Sequence, residues 1–113
     1  MRRAHFYMNK VCINGRLIRE PDYKELENNN SVCTIFIAND VFFGQNKKTG
    51  FFKVVAWGKM GKIIADNCAT GTELYITGRL EQSQYQDEHD KTIYDVYIVL
   101  EQFDFGVING MEK

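Results

Sequence analysis

Residues Phe51 to Trp57, FFKVVAW, alternate so as to separate two faces. Side chains two apart on a strand point the same way. Phe52, Val54 and Ala56 then form one wholly apolar face, fit for a core. Phe51, Lys53, Val55 and Trp57 form the other: two flat rings with a cation between them. That second face has two readings. Either it stacks bases and neutralises phosphates, or it is buried too and the Lys53 ammonium snorkels out past its neighbours. Aromatic residues are common in strands of both kinds.

The same reading along the rest of the chain finds four more strands. Val11-Cys12-Ile13 is a short apolar run ending at Asn14-Gly15, a first strand with a bend or bulge at the glycine. Pro21 sets a turn. Asn28-Asn29-Asn30-Ser31 is a second turn signal, before a strand from Val32 to Ala38. A polar loop, GQNKKTG, carries Lys47 and Lys48 into FFKVVAW. The period then changes. Met60, Ile63, Ile64, Asn67 and Cys68 share one face of a helix that stops before Gly71. Gly61 is expected to weaken that helix by about 1 kcal/mol relative to alanine. Alternation returns at Glu73 to Leu80, with Leu74, Ile76 and Leu80 on one face. Residues 82–91 read as a polar excursion containing Tyr85. Thr92 to Leu100 is the last strand, with Tyr94, Val96, Ile98 and Leu100 together. Three strands, one helix and two strands predict an all-β OB fold. This is a five-stranded Greek-key barrel with one α-helix between the third and fourth strands. Strands two and three carry the usual oligonucleotide face of that architecture.

Composition narrows this little and excludes some classes. The 113 residues make one domain, expected over 9–106, with an arm at 1–8 and a short tail at 107–113. No apolar run approaches the roughly 20 residues of a membrane span. No apolar segment follows Arg2 and Arg3 to make a secretory signal, so the expectation is a cytoplasmic protein with no membrane partner. Cys12, Cys33 and Cys68 are odd in number, lack a C-x-x-C pair and sit among apolar residues, which predicts buried thiols. With only His5 and His89 to help, no metal site is expected. No cofactor is expected either.

Net charge is −1, but it is unevenly spread. Met1 to Arg19 holds five cations and no acid, whereas Glu81 to Asp95 holds five acids against Lys91. Such asymmetry marks a polyanion site or complementary patches in an oligomer. The apolar edge near Val11-Cys12-Ile13 is a pairing template. Tyr75, Tyr97, Val99 and Phe103 offer more apolar surface than one small barrel needs to hide.

Three runs carry a resemblance. MNKVCINGRLIREPD resembles the opening of bacterial single-stranded DNA-binding proteins, FFKVVAWGK their third strand and the glycine-lysine after it, and LYITGRLEQSQYQDEHDKTIYDVYIV their fourth strand, long loop and fifth strand. Together these span about residues 8–105. The resemblance implies an OB fold assembled as a homotetramer, with single-stranded DNA as partner and no sequence specificity. It also implies roles in replication, recombination and repair, at the nucleoid. Its stacking aromatics fall on Phe43, Phe51, Trp57 and Tyr85, and its basic contacts near Lys10, Lys24, Lys53 and Lys59. Arg79 is either a groove cation or a plain solvent-facing strand residue. Lys47 and Lys48 are a loop tip or a phosphate grip.

The chain departs from the family pattern in three places. Glu81-Gln82-Ser83-Gln84 stands where many relatives are richer in cations, and the loop beyond is acidic. The chain ends at Gly110-Met111-Glu112-Lys113 without a Gly/Pro/Gln-rich linker and acidic tip, so recruitment of replication enzymes through a tail is not expected. Residues 1–7 precede the expected start. The competing function is an OB-fold protein-interaction module, a primosome-type accessory factor with weak DNA binding, suggested by the near-neutral charge and the acidic loop. An enzyme is not expected: no phosphate-binding glycine loop, metal spacing or paired His and Cys is present.

Overall fold

The structure, a computed structural model, describes residues 7–106. In chain order the elements are β1 (Val11–Leu17), β2 (Asp22–Glu25), a short 3-10 turn (Glu27–Asn29), β3 (Ser31–Phe43), β4 (Asn46–Trp57), α1 (Gly58–Asn67), β5 (Glu73–Gln86) and β6 (Thr92–Phe105). The sheet runs β1-β5-β6-β4-β3-β2, and a further β1–β3 pairing closes five of these strands into a barrel. The closing pairs are Arg16 with Ala38 and Leu17 with Ile37. Across the barrel, β4 and β6 run parallel through Val54–Ile98 and Val55–Val99. This is the OB fold the strand order predicts, with the helix between β4 and β5.

Strand alternation builds the core. Cys33, Ile35 and Ile37 of β3, Val54 and Ala56 of β4, Leu74 and Ile76 of β5, Ile98 and Leu100 of β6 and Leu17 of β1 all point inward and are buried. Ile64 of α1 and Cys68 just after it join this core. Burial of these side chains is the dominant stabilising term, at about 1.5–3 kcal/mol for each large one.

Several expectations are corrected. First, β1 does not end at Gly15 but passes through it to Leu17. A Cβ at Gly15 would lie 2.5 Å from the Ala38 carbonyl oxygen, so glycine is what lets β1 leave β5 and pair with β3. Second, the two polar loops are largely strand. Lys47 and Lys48 sit on β4, paired with Phe42 and Val41, and residues 82–86 continue β5. Both hairpins therefore extend past the barrel as two-stranded arms. Polar composition hid this, because an arm has no core side to reveal it.

Third, the helix face holds only in part. Ile64 and Cys68 are buried and Met60 packs against the core, as expected, whereas Ile63 and Asn67 face solvent and Gly61 is buried in their stead. Gly61 is not a weak point but a contact. A Cβ there would lie 2.5 Å from the Ala56 carbonyl oxygen and 3.0 Å from Cys33 Cβ. Fourth, Cys12 is exposed while Cys33 and Cys68 are buried. It lies on the outward parity of β1, opposite to Gly15 and Leu17. Fifth, of the four residues expected to show surplus apolar surface, only Tyr75 is exposed. Tyr97 and Phe103 are half-buried and Val99 is buried. Leu80, opposite buried Ile98, and Tyr94 and Val96 on the arm are exposed instead.

Residues 1–6 and the tail at 107–113 lie outside the described residues, so most of the expected arm and all of the expected tail do as well. No helix among the described residues is long and apolar enough to cross a membrane.

Candidate nucleic-acid interface

The outward face of β4 keeps the row read from FFKVVAW, with one change. Phe51 is 64% exposed and Trp57 52%, and Lys53 is half-buried between them. Val55 is buried although it points outward. It is flanked in register by Thr34 and Val99. The inward set is apolar as expected, though Phe52 is partly exposed where β4 leaves the barrel.

Neighbouring strands widen this row into a panel. Register places Val32 beside Trp57, Thr34 beside Val55, Phe36 beside Lys53 and Ala38 beside Phe51. Lys24 of β2 stands opposite Val32, so it extends the Trp57 row. Lys59 lies one residue beyond Gly58, exposed at the start of α1. These four, Lys24, Phe51, Trp57 and Lys59, are therefore on or beside one surface, with Lys53 at its centre.

The cations split into two groups. Lys53 Nζ bonds Asp95 Oδ2 at 2.9 Å and lies 5.2 Å from the centroid of the Tyr97 ring. Arg79 is ion-paired with Glu81 and reaches Glu101 at 3.8 Å. Lys10 bonds the same Glu101 at 2.7 Å. Glu101 stands at a bulge: Thr77 opposes Gln102 and Gly78 opposes Leu100, which leaves Glu101 without a partner residue on β5. The β5–β6 side is thus neutralised from within. On the β2–β3 side, Lys24 and Arg19 form no ion pair among the described residues, and neither does Lys59.

The remaining expected residues lie further out. Tyr85 is 57% exposed on the β5 arm, opposite Ile93, on the outward parity it shares with Arg79. Phe43 is exposed at the end of β3, but the unbroken β3–β4 register gives it the inward parity of Ile35 and Ile37. Phe42 has the outward parity of Phe36 and is also exposed. The acid-rich tip of the β5–β6 hairpin is a turn device. Asp87 Oδ1 accepts the backbone N–H of His89 at 2.8 Å and of Lys91 at 2.9 Å.

Sequence reasoning missed three residues here: Phe36, Arg19 and Asp95. Phe36 was legible, since it falls between Cys33, Ile35 and Ile37 in alternation. Asp95 could be placed only through the parallel β4–β6 pairing. The Arg19 guanidinium lies 4.3 Å over the Phe36 ring; Pro21 signals the turn that carries it, but not which side chain the turn brings over the ring. Among the described residues no cluster of His, Cys, Asp and Glu could hold a metal ion.

A barrel of this topology with a solvent-facing row of rings and cations is the architecture of an oligonucleotide-binding OB protein. Residues 8–106 match the single-strand binding protein family, and the chain belongs to it. A single-stranded DNA-binding protein of Fusobacterium nucleatum is 33% identical over 104 residues, 88% of this chain and 67% of that protein. One from Enterococcus faecalis is 29% identical over 99 residues, 85% of this chain and 53% of that protein. The chain thus spans about half to two thirds of the length of these relatives. In three dimensions it is similar to a chain described as Plasmodium falciparum SSB complex with ssDNA. The TM-score is 0.81 at 21% identity, covering 93% of this chain and 100% of that one.

Proposed function

We propose that this chain binds single-stranded DNA without sequence specificity and coats it during replication, recombination or repair. The observation that carries this is the pair of exposed rings, Phe51 and Trp57, on one face of β4 with Lys53 between them. Every base has a π-face, so stacking on such rings is tolerant of sequence. Cations beside the rings meet phosphates, so affinity falls as salt rises. Family membership and the names of the relatives support the same reading. The role is binding, not catalysis, and its site is with the DNA in the cytoplasm.

The free edge of β1 supports assembly. Val11 to Asn14 pair with β5 on one side; on the other, β3 pairs with Arg16 and Leu17 and reaches Asn14 through Asn39 Nδ2, which donates to its carbonyl at 2.8 Å, so the open stretch is Val11 to Ile13. With Tyr75 exposed on the adjoining strand, this favours a homo-oligomer, which we take to be a tetramer. Light scattering would return four times the chain mass; a monomer would rule it out.

The ion pairs of Lys53, Arg79 and Lys10 favour a second reading, a protein-interaction module with weak DNA binding. Fluorescence polarisation with labelled dT oligomers and a matched duplex separates the two. A single-strand coat binds the oligomer far more tightly than the duplex and releases it as salt rises. Equal, weak binding to both would favour the module.

A further inference from the structure

We propose that Arg19, stacked on Phe36, forms a further nucleotide subsite beside the β4 row, taking one base on the open side of its guanidinium and a phosphate at its edge. This rests on the reading of the β4 face as a single-strand surface.

The geometry supplies each part. Phe36 lies outward on β3, next in register to Lys53, and so falls in the row between those of Trp57 and Phe51. The backbone N–H of Ile18 donates to the Phe36 carbonyl at 3.0 Å, which ties the β1–β2 turn to β3 and brings Arg19 over the ring. One side of the guanidinium is therefore covered by the ring at 4.3 Å, and the residue is exposed. A planar cation held over an aromatic ring is pre-organised. It offers a second flat surface and a fork of N–H donors without losing further side-chain freedom.

Charge points to the same ligand. Among the described residues Arg19 has no ion-pair partner, in contrast to Lys53 and Arg79. Its neighbour Glu20 is engaged with another partner, accepting the backbone N–H and the hydroxyl of Thr70, each at 3.0 Å. Asp22 lies opposite Thr34, one outward position further along β3. Lys24 beyond it is free to meet the next phosphate. A strand laid along Trp57, Arg19–Phe36 and Phe51 would thus follow the free cations. It would avoid the self-neutralised β5–β6 side.

The test is a set of dT-oligomer titrations at several salt concentrations with Arg19→Ala, Arg19→Lys, Phe36→Leu and, as reference, Trp57→Ala. Circular dichroism and thermal melts confirm that each variant is folded. Arg19→Ala and Phe36→Leu should each weaken binding about threefold to tenfold. For Arg19→Ala the slope of log affinity against log salt should fall by about 0.7. Arg19→Lys should keep the slope and still lose affinity, because the charge remains and the flat surface is gone. If Arg19→Lys binds like the parent, or if Arg19→Ala does so while Trp57→Ala is weakened, the subsite is overturned and the β4 surface stands. If neither Arg19→Ala nor Trp57→Ala weakens binding, both fail together.

Discussion

Lys53 Nζ sits 2.9 Å from Asp95 Oδ2, so the cation at the centre of the β4 row is already held by a carboxylate before any ligand arrives. The pair is partly exposed on both sides. Such pairs contribute only about 0–1 kcal/mol, so a phosphate can displace the acid but must first compete with it.

Replacing that acid should strengthen binding. Asp95→Asn keeps the side-chain size and removes the charge. Affinity for dT oligomers at low salt should rise, by about twofold to fivefold, and the salt dependence should steepen as Lys53 releases a counterion of its own. Titrations at several salt concentrations read both. Unchanged affinity would mean that the strand never meets Lys53.

Alanine at Gly61 should destabilise the fold, although helix propensity favours alanine by about 1 kcal/mol. The added Cβ would meet the Ala56 carbonyl oxygen at 2.5 Å and Cys33 Cβ at 3.0 Å, so α1 would have to lift off the barrel. Overpacking of this kind costs about 1–3 kcal/mol, and urea unfolding of Gly61→Ala measures it. A stabilised variant would show that α1 sits less tightly than its contacts indicate.

The thiols should divide one against two. Cys12 is exposed and should react with Ellman's reagent in the folded protein, while Cys33 and Cys68 should react only on unfolding. Burial pushes the Cys33 thiol up from 9.0 to about 11, with a smaller push from the charge of Asp22. Burial does the same for Cys68, also to about 11, with a contribution from Cys33. Folded values above the unfolded ones mean that the folded state holds the protons longer. This stability is fully present below pH 9 and is lost as pH climbs through 9 to 11, on the order of 2 kcal/mol per thiol. Urea midpoints should fall across that window, and more shallowly in Cys33→Ala.

The barrel was legible because its core follows period 2. Cys33, Ile35, Ile37, Val54, Ala56, Leu74, Ile76, Ile98 and Leu100 all alternate with residues that face outward. The arms were not, since Lys47, Lys48 and residues 82–86 pair across strands without burying a side, so alternation leaves no trace there. The helix face was read only in part, because Ile63 looks like a core residue and Gly61 does not. Only the approach of Ala56 and Cys33 shows that the smallest side chain marks the buried face. In the candidate site, Phe51, Lys53 and Trp57 follow from parity within one strand. Pairs such as Lys53–Asp95 and Arg19–Phe36 depend on strand order and on a turn, and local spacing carries neither.

Trp57, the chain's one tryptophan, is half exposed at the end of the β4 row and reports on that surface by its own fluorescence. Adding dT oligomers should quench its emission to saturation, with a midpoint that moves to higher oligomer concentration as salt is raised. Emission that stays constant while oligomer binding is seen by another method would place the strand elsewhere on the barrel and remove the β4 rings from the site.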